Sequence, residues 1–127
     1  MFAMVTLGLA MFLLPSARVA EDLTITIQVS PNVLNLLNQG EVVTVHTDIA
    51  YGLVLGASVT INGLPIAWWK SDDRGNFVAK FNMVEVKKLN LTPGSYNLLT
   101  LTGETINGQT FIGQQEIKVV YNLPSKK

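Results

Sequence analysis

Residues 59–81 constrain the fold of this chain more than any other stretch. Apolar residues occupy alternate positions at both of its ends, namely Val59 and Ile61 at the start and Phe77, Ala79 and Phe81 at the finish. Period-two alternation is typical of a strand with one buried face. The turn-forming residues 71–76 lie between the two runs. The stretch therefore predicts a strand, a loop and a second strand, with the aromatic side chains packed against another sheet.

The same alternation recurs over residues 23–29, 43–49 and 117–121, and residues 96–102 form a further predicted strand that is rich in leucine and threonine. Turn signals separate these runs at residues 30–32, 38–40, 93–94 and 107–108. One short connecting helix is predicted over residues 83–89, because Asn82 and Glu85 have the spacing of a capping box. About seven short strands with regular turns predict an all-β fold, an antiparallel sandwich.

Composition excludes several classes of function. With 127 residues the chain forms one domain, and its 9 basic and 9 acidic residues balance. No basic patch or tail is present, so nucleic-acid binding through phosphate neutralisation is not expected. The chain has no cysteine, which excludes disulfides and thiolate metal sites.

Residues 1–14 are uncharged and almost wholly apolar, and small residues follow up to Ala20. As a helix they would span about 21 Å, which is shorter than a hydrocarbon core of about 30 Å. We interpret residues 1–20 as a signal-peptide-like segment, although its start lacks a basic residue and Arg18 lies close to the expected cleavage point. The alternative is a retained helix that lies on the membrane or in the core. The prediction is a secreted, periplasmic or cell-surface protein, with the sandwich at residues 21–121 and a polar tail at 122–127.

Several segments also resemble a known family by their order. They are residues 33–36, 40–45, 58–63, 77–81 and 99–103 and, in the last part, Gly108, residues 111–113 and residues 117–120. Together they are similar to bacterial immunoglobulin-like modules of the kind found at the C-terminal ends of secreted multi-domain or repeat-bearing proteins. The resemblance implies an immunoglobulin-like sandwich without catalytic activity, whose partner is another protein or a cell-surface component. It carries over no functional residue.

Asp72 and Asp73 are the candidate metal ligands of the sequence. Calcium takes six to eight oxygen ligands, usually from carboxylates at alternate positions. Two adjacent carboxylates beside Arg74 make a poor cage. We expect instead a solvated hairpin loop in which Gly75 has a positive φ and the aspartates accept hydrogen bonds from backbone amides. No metal or cofactor is predicted.

Trp68 and Trp69 are adjacent, so on a strand they point to opposite faces. Trp68 is predicted inside because it shares its parity with Ile66, and Trp69 is predicted outside. Trp69, Asp72 and Asp73 are therefore the candidate contacts with a ligand or partner. They support an alternative function, a carbohydrate- or ligand-binding module that uses Trp69 and the loop at residues 71–76.

His46 is the only histidine, and Asp48 lies on the same face of its strand. A catalytic role for this pair would need a nucleophile and oxyanion donors. No nucleophile-elbow motif and no metal-ligand spacing accompany it. The sequence therefore predicts an exported module that is not an enzyme and acts in a structural or protein-interaction role.

Overall fold

The computed structural model describes residues 22–37 and 40–121. The signal-like segment at residues 1–20 and the polar tail at 122–127 lie outside the described residues. The described part contains ten strands, one α-helix (α1, Met83–Val86) and a 3-10 turn (Tyr51–Leu53). The strands are β1 (Leu23–Thr24), β2 (Ile27–Ser30), β3 (Val33–Asn35), β4 (Val42–Ala50), β5 (Val54–Ile61), β6 (Leu64–Pro65), β7 (Trp68–Ser71), β8 (Asn76–Asn82), β9 (Ser95–Thr105) and β10 (Thr110–Val120).

The strands form two sheets that enclose one core. One is a mixed sheet in the order β1-β10-β9-β5-β6, with β3 also paired to β10, and the other is a four-stranded sheet in the order β2-β4-β8-β7. The all-β, sandwich-like prediction is confirmed. The prediction that every pair is antiparallel is wrong, because β1 and β3 both run parallel to β10. The sequence also predicts fewer strands, because β1, β3 and β6 have only two or three residues and are too short to show alternation.

The core lies between the inner faces of the two sheets. Phe77, Phe81, Ile61 and Val45 are each at most 1% exposed, so the alternation identified their buried sides correctly. Burying a large apolar side chain stabilises a fold by about 1.5–3 kcal/mol. These positions therefore hold the two sheets together.

Two Asn-Gly pairs form hairpin turns. Asn62 and Gly63 join β5 to β6 with φ angles of 46° and 85°, as type I′ turns require. Asn107 and Gly108 lie in the connection between β9 and β10, as predicted.

Helix α1 is shorter than predicted. Asn82 stands at its N-cap, but its side chain makes no capping hydrogen bond. The Met83 amide instead donates to the Glu41 carbonyl over 3.0 Å. The predicted capping contact is therefore absent, and the residue just before β4 satisfies only the first amide of the helix. No helix in the described residues is long and apolar enough to cross a membrane.

Three connections gather at one end of the sandwich, namely Tyr51–Leu53, the loop at residues 72–75 and the turn at residues 106–109. The Tyr51 amide donates to the Gly75 carbonyl, and the Ile106 amide donates to the Leu53 carbonyl, both over 2.8 Å. Asp22 also reaches this end, where it accepts a hydrogen bond from the Thr110 hydroxyl. Helix α1 lies at the other end.

Candidate functional site

The loop at residues 72–75 is organised by Asp72. Its Oδ1 atom accepts hydrogen bonds from the backbone amides of Arg74 over 2.8 Å and Asn76 over 2.9 Å. Gly75 has a φ of 84°. The pKa of Asp72 is lowered, chiefly by the hydrogen bond from the Asn76 amide. Partial burial acts in the opposite direction, and the amide and the charge of Arg74 lower the pKa further.

The predicted amide-capping role is confirmed for Asp72, whereas Asp73 is exposed. Among the described residues, no group of three or more histidine, cysteine or acidic side chains could hold a metal ion. The Asp72 oxygen is already occupied by two amides. The loop therefore has the construction of a turn that the aspartate stabilises.

The prediction that Trp68 lies inside is wrong. Trp68 is 47% exposed and pairs with Lys80 on the outer face of the four-stranded sheet. Ile66 and Trp68 do not share a face, because the chain crosses from one sheet to the other between Ile66 and Ala67. The Ile66 amide donates to Val59 of the mixed sheet, and the next amide, Ala67, donates to Lys80 of the other sheet.

Trp69 closes one edge of the core. It pairs with the buried Ala79, so it points to the inner side of its sheet, and it is 37% exposed. Its indole lies so close to Gly56 that a Cβ atom at that position would be 2.1 Å from the ring. Trp69 is thus held against β5, and only part of its side chain can meet a ligand or partner.

His46 and Asp48 are both exposed and lie on one face of β4, which is the shared face that the sequence predicts. Asp48 Oδ1 accepts a hydrogen bond from the Thr26 amide over 2.9 Å. This contact ties β4 to the residues between β1 and β2. His46 and Asp48 also line a small open cleft of about 130 Å³ together with Arg74. The carboxylate therefore supports the backbone beside the histidine.

Sequence reasoning missed the surface around Trp68. The Lys80 ammonium lies 5.3 Å from the centre of the Trp68 ring and donates to Thr44 Oγ1 over 2.9 Å. Lys70 follows on the same face of β7. Burial first, and then the charge of Lys70, lowers the pKa of Lys80. Only the register between β7 and β8 could have revealed this cluster, which we call the Trp68 face.

A second missed feature is an exposed apolar cluster at the end where the three connections meet. Its members are Tyr51 (40% exposed), Leu53 (40%), Leu55 (44%) and Ile106 (57%). We call this set the apolar end cluster. The sequence does not reveal it because only the fold brings Ile106 beside residues 51–55.

A third feature that the sequence analysis missed is the position of Gln115. It lies at an inward-facing position of β10, whose other inward residues are apolar or glycine. Its Oε1 atom accepts a hydrogen bond from the Val29 amide over 2.7 Å. It thereby joins the two sheets at the floor of an open cleft of about 450 Å³ that His46 also lines. A polar residue inside an alternating apolar run was the available signal.

The chain matches no protein-family model, no curated protein and no solved structure. Its function is therefore inferred from its own residues. Of the predicted contact residues, Asp72 and Asp73 lie in a loop beside the apolar end cluster, and Trp69 lies at the core edge. It is Trp68 that the fold brings together with exposed charged side chains.

Proposed function

We propose that this chain is an exported immunoglobulin-like module without catalytic activity, which acts in a structural or protein-interaction role. The strand order supports the immunoglobulin-like assignment. In sheet order, β2, β4, β8 and β7 correspond to strands A, B, E and D of that sandwich, and β10, β9 and β5 correspond to G, F and C. β6 takes the position of an additional strand beside C.

The observation that carries the interaction role is the apolar end cluster. Four large apolar side chains, each at least 40% exposed, lie on residues 51–55 and on the turn at residues 106–109, and a hydrogen bond from the Ile106 amide to the Leu53 carbonyl joins the two segments. Exposed apolar patches on a soluble domain mark surfaces that contact another protein. The carboxylates of Asp22 and Glu104 border the cluster, and the adjoining loop carries both Asp73 and Arg74. The partner surface that fits is apolar at its centre and basic at its rim.

Several observations favour a role without catalysis. Asp48, the neighbour that could orient His46, already accepts a hydrogen bond from a backbone amide. Asp72 is engaged in the same way. The lowered pKa of Asp72 thus has a structural explanation in its hydrogen bonds from backbone amides.

A photo-cross-linking amino acid in place of Ile106 tests the interaction role in the cells that make the protein. We expect one discrete adduct with another protein. The matched control carries the same amino acid in place of Val84, which is 62% exposed on α1 at the opposite end, and should give no such adduct. Leu53→Lys should abolish the adduct at position 106. Equal adducts from both positions, or none, would contradict the role of this end.

Export is tested separately by mass spectrometry of extracellular protein. If residues 1–20 act as a signal, secreted material should begin near Glu21. Extracellular protein that retains Met1 would overturn this part of the proposal.

The alternative, a carbohydrate- or ligand-binding module that uses Trp69 and the loop at residues 71–76, has less support. The Trp69 ring packs over Gly56, and the Asp72 carboxylate is occupied by amides. A ligand would meet only the remaining surface of Trp69. The neighbouring Trp68 is better placed to meet one.

A further inference from the structure

We propose that the Trp68 face binds an acidic polysaccharide, with a sugar ring stacked on the Trp68 indole and a uronic-acid carboxylate held by Lys70 and Lys80. This site goes beyond the proposed interaction role. It also lies on a sheet face and not at the apolar end cluster. Either proposal can therefore fail while the other stands.

The strand register brings the required groups together. Thr44, Lys80 and Trp68 face one another across β4, β8 and β7, and His46, Val78 and Lys70 form the next row. Neighbouring strands lie about 4.8 Å apart, and rows on one face are separated by about 7 Å, so one or two sugar rings span the cluster. Neither row contains a carboxylate. Asp48 belongs to the following row and accepts a hydrogen bond from Thr26.

Lys80 is held in position by its surroundings. Its ammonium group lies 5.3 Å from the Trp68 ring centre and donates to the Thr44 hydroxyl over 2.9 Å. Burial and the charge of Lys70 both disfavour the charged form of Lys80, which lowers its pKa. A carboxylate bound between the two ammonium groups would relieve this repulsion and form charge-assisted hydrogen bonds.

The exposed indole of Trp68 favours a sugar over a ligand that is acidic but has no apolar face. Trp68 is 47% exposed on a hydrogen-bonded sheet. An aromatic ring offers a large apolar surface with a partly negative face, which suits the C–H face of a pyranose ring. Further across the same face, Thr44 and His46 on β4 and Ser30 and Gln28 on β2 supply hydroxyl, imidazole and amide groups. Such groups suit sugar hydroxyls.

Calorimetric titration with three probes tests the proposal. They are hexagalacturonate, the neutral hexamer of galactose, and poly-glutamate of similar charge. We expect hexagalacturonate to bind at least tenfold more tightly than either of the others. Trp68→Ala should weaken its binding at least tenfold, and Lys70→Gln should weaken it and reduce its dependence on salt.

Matched controls come from the other sheet, where the Lys118 ammonium lies 5.4 Å from the Tyr96 ring centre. Tyr96→Ala and Lys118→Gln should bind hexagalacturonate as the unchanged protein does. Lys70→Glu is a second variant at an exposed position of β7, for use if Trp68→Ala does not fold. It should abolish binding. Poly-glutamate binding as tight as that of hexagalacturonate, binding that survives both Trp68→Ala and Lys70→Glu, or no binding of hexagalacturonate would overturn the proposal.

Discussion

Each outer face of the sandwich carries a lysine beside an aromatic ring, at 5.3 Å for Lys80 and Trp68 and at 5.4 Å for Lys118 and Tyr96. The surroundings of the two pairs differ. Lys80 lies beside Lys70, whose charge lowers its pKa. Lys118 lies two residues from Glu116 on the same face of β10 and pairs directly with Val33. The lysine–aromatic contact at Trp68 therefore has a net positive charge around it, whereas at Tyr96 the positive charge of Lys118 is balanced by Glu116. The local charge, and not the contact itself, distinguishes a candidate site.

The polar groups of the mixed sheet also bind one another. The hydroxyls of Thr60 and Thr102 lie 3.1 Å apart, and the Gln114 amide donates to Thr100 Oγ1 over 3.1 Å. Asn62 accepts from the Thr100 amide and donates to the Leu98 carbonyl. These groups stabilise their own sheet. A ligand would have to replace those hydrogen bonds, which makes this face a poor binding surface.

The largest expected effect is that of Phe81→Ala, which tests which side of β8 faces the core and which side forms the outer face. Phe81 is fully buried, whereas its neighbour Lys80 points outward. Removing the ring leaves a cavity between the sheets, so we expect a loss of about 3–5 kcal/mol in the free energy of unfolding. Urea denaturation measures it. A loss below about 1 kcal/mol would mean that β8 faces the other way and that the two faces are misassigned.

Gly56→Ala tests the different roles assigned to the two tryptophans. The added methyl group would meet the Trp69 ring, so we expect a loss of about 1–3 kcal/mol. Combining it with Trp69→Leu should recover part of that loss, whereas combining it with Trp68→Leu should give an additive result. Thermal melts of the single and double variants provide the comparison. Coupling to Trp68 in place of Trp69 would reverse the assignment.

Thr102→Val tests whether the mixed sheet satisfies its own polar groups. It leaves the partly buried Thr60 hydroxyl without the Thr102 partner, so we expect a loss of about 0.5–1.5 kcal/mol. Replacing both threonines by valine should restore most of that stability. If the single variant is as stable as the unchanged protein, the hydroxyl pair contributes nothing and the contrast between the faces weakens.

The smallest effect concerns the dependence of stability on alkaline pH that Lys80 confers. The pKa of Lys80 is lowered in the folded protein. Below pH 10.5 there is therefore a range in which Lys80 is protonated in the unfolded chain but not in the folded protein. Stability must rise with pH across that range. Lys80→Met should remove this rise and Lys118→Met should leave it, as measured by urea denaturation between pH 8 and 11 (chosen to bracket about 10.4, the usual lysine pKa). Identical profiles for both variants would contradict the proposed difference.

The sequence predicted the parts of the fold that depend on local alternation. Phe77 and Phe81 are buried as expected, because a period of two fixes which side of a strand meets the core. The parallel pairing of β1 and β3 with β10 could not be predicted, since strands of two or three residues carry no periodic signal.

The candidate site was less predictable than the fold. The role of Asp72 followed from local turn chemistry and is confirmed. The outward position of Trp68 depends on where the chain crosses from one sheet to the other, between Ile66 and Ala67. The apolar end cluster depends on the contact between residues 51–55 and the turn at residues 106–109, which meet only in the folded chain. Both are consequences of tertiary pairing, which alternation along one strand does not contain.

The difference between the two outer faces is tested most directly by NMR titration of the isotope-labelled protein with hexagalacturonate. The account predicts chemical-shift changes at the amides of Trp68, Lys70 and Lys80 and at the Trp68 indole N–H. The amides of Thr60, Thr102 and Gln114 on the mixed sheet should stay where they are. Changes centred on the mixed sheet or on the apolar end cluster, with the Trp68 indole unmoved, would contradict it.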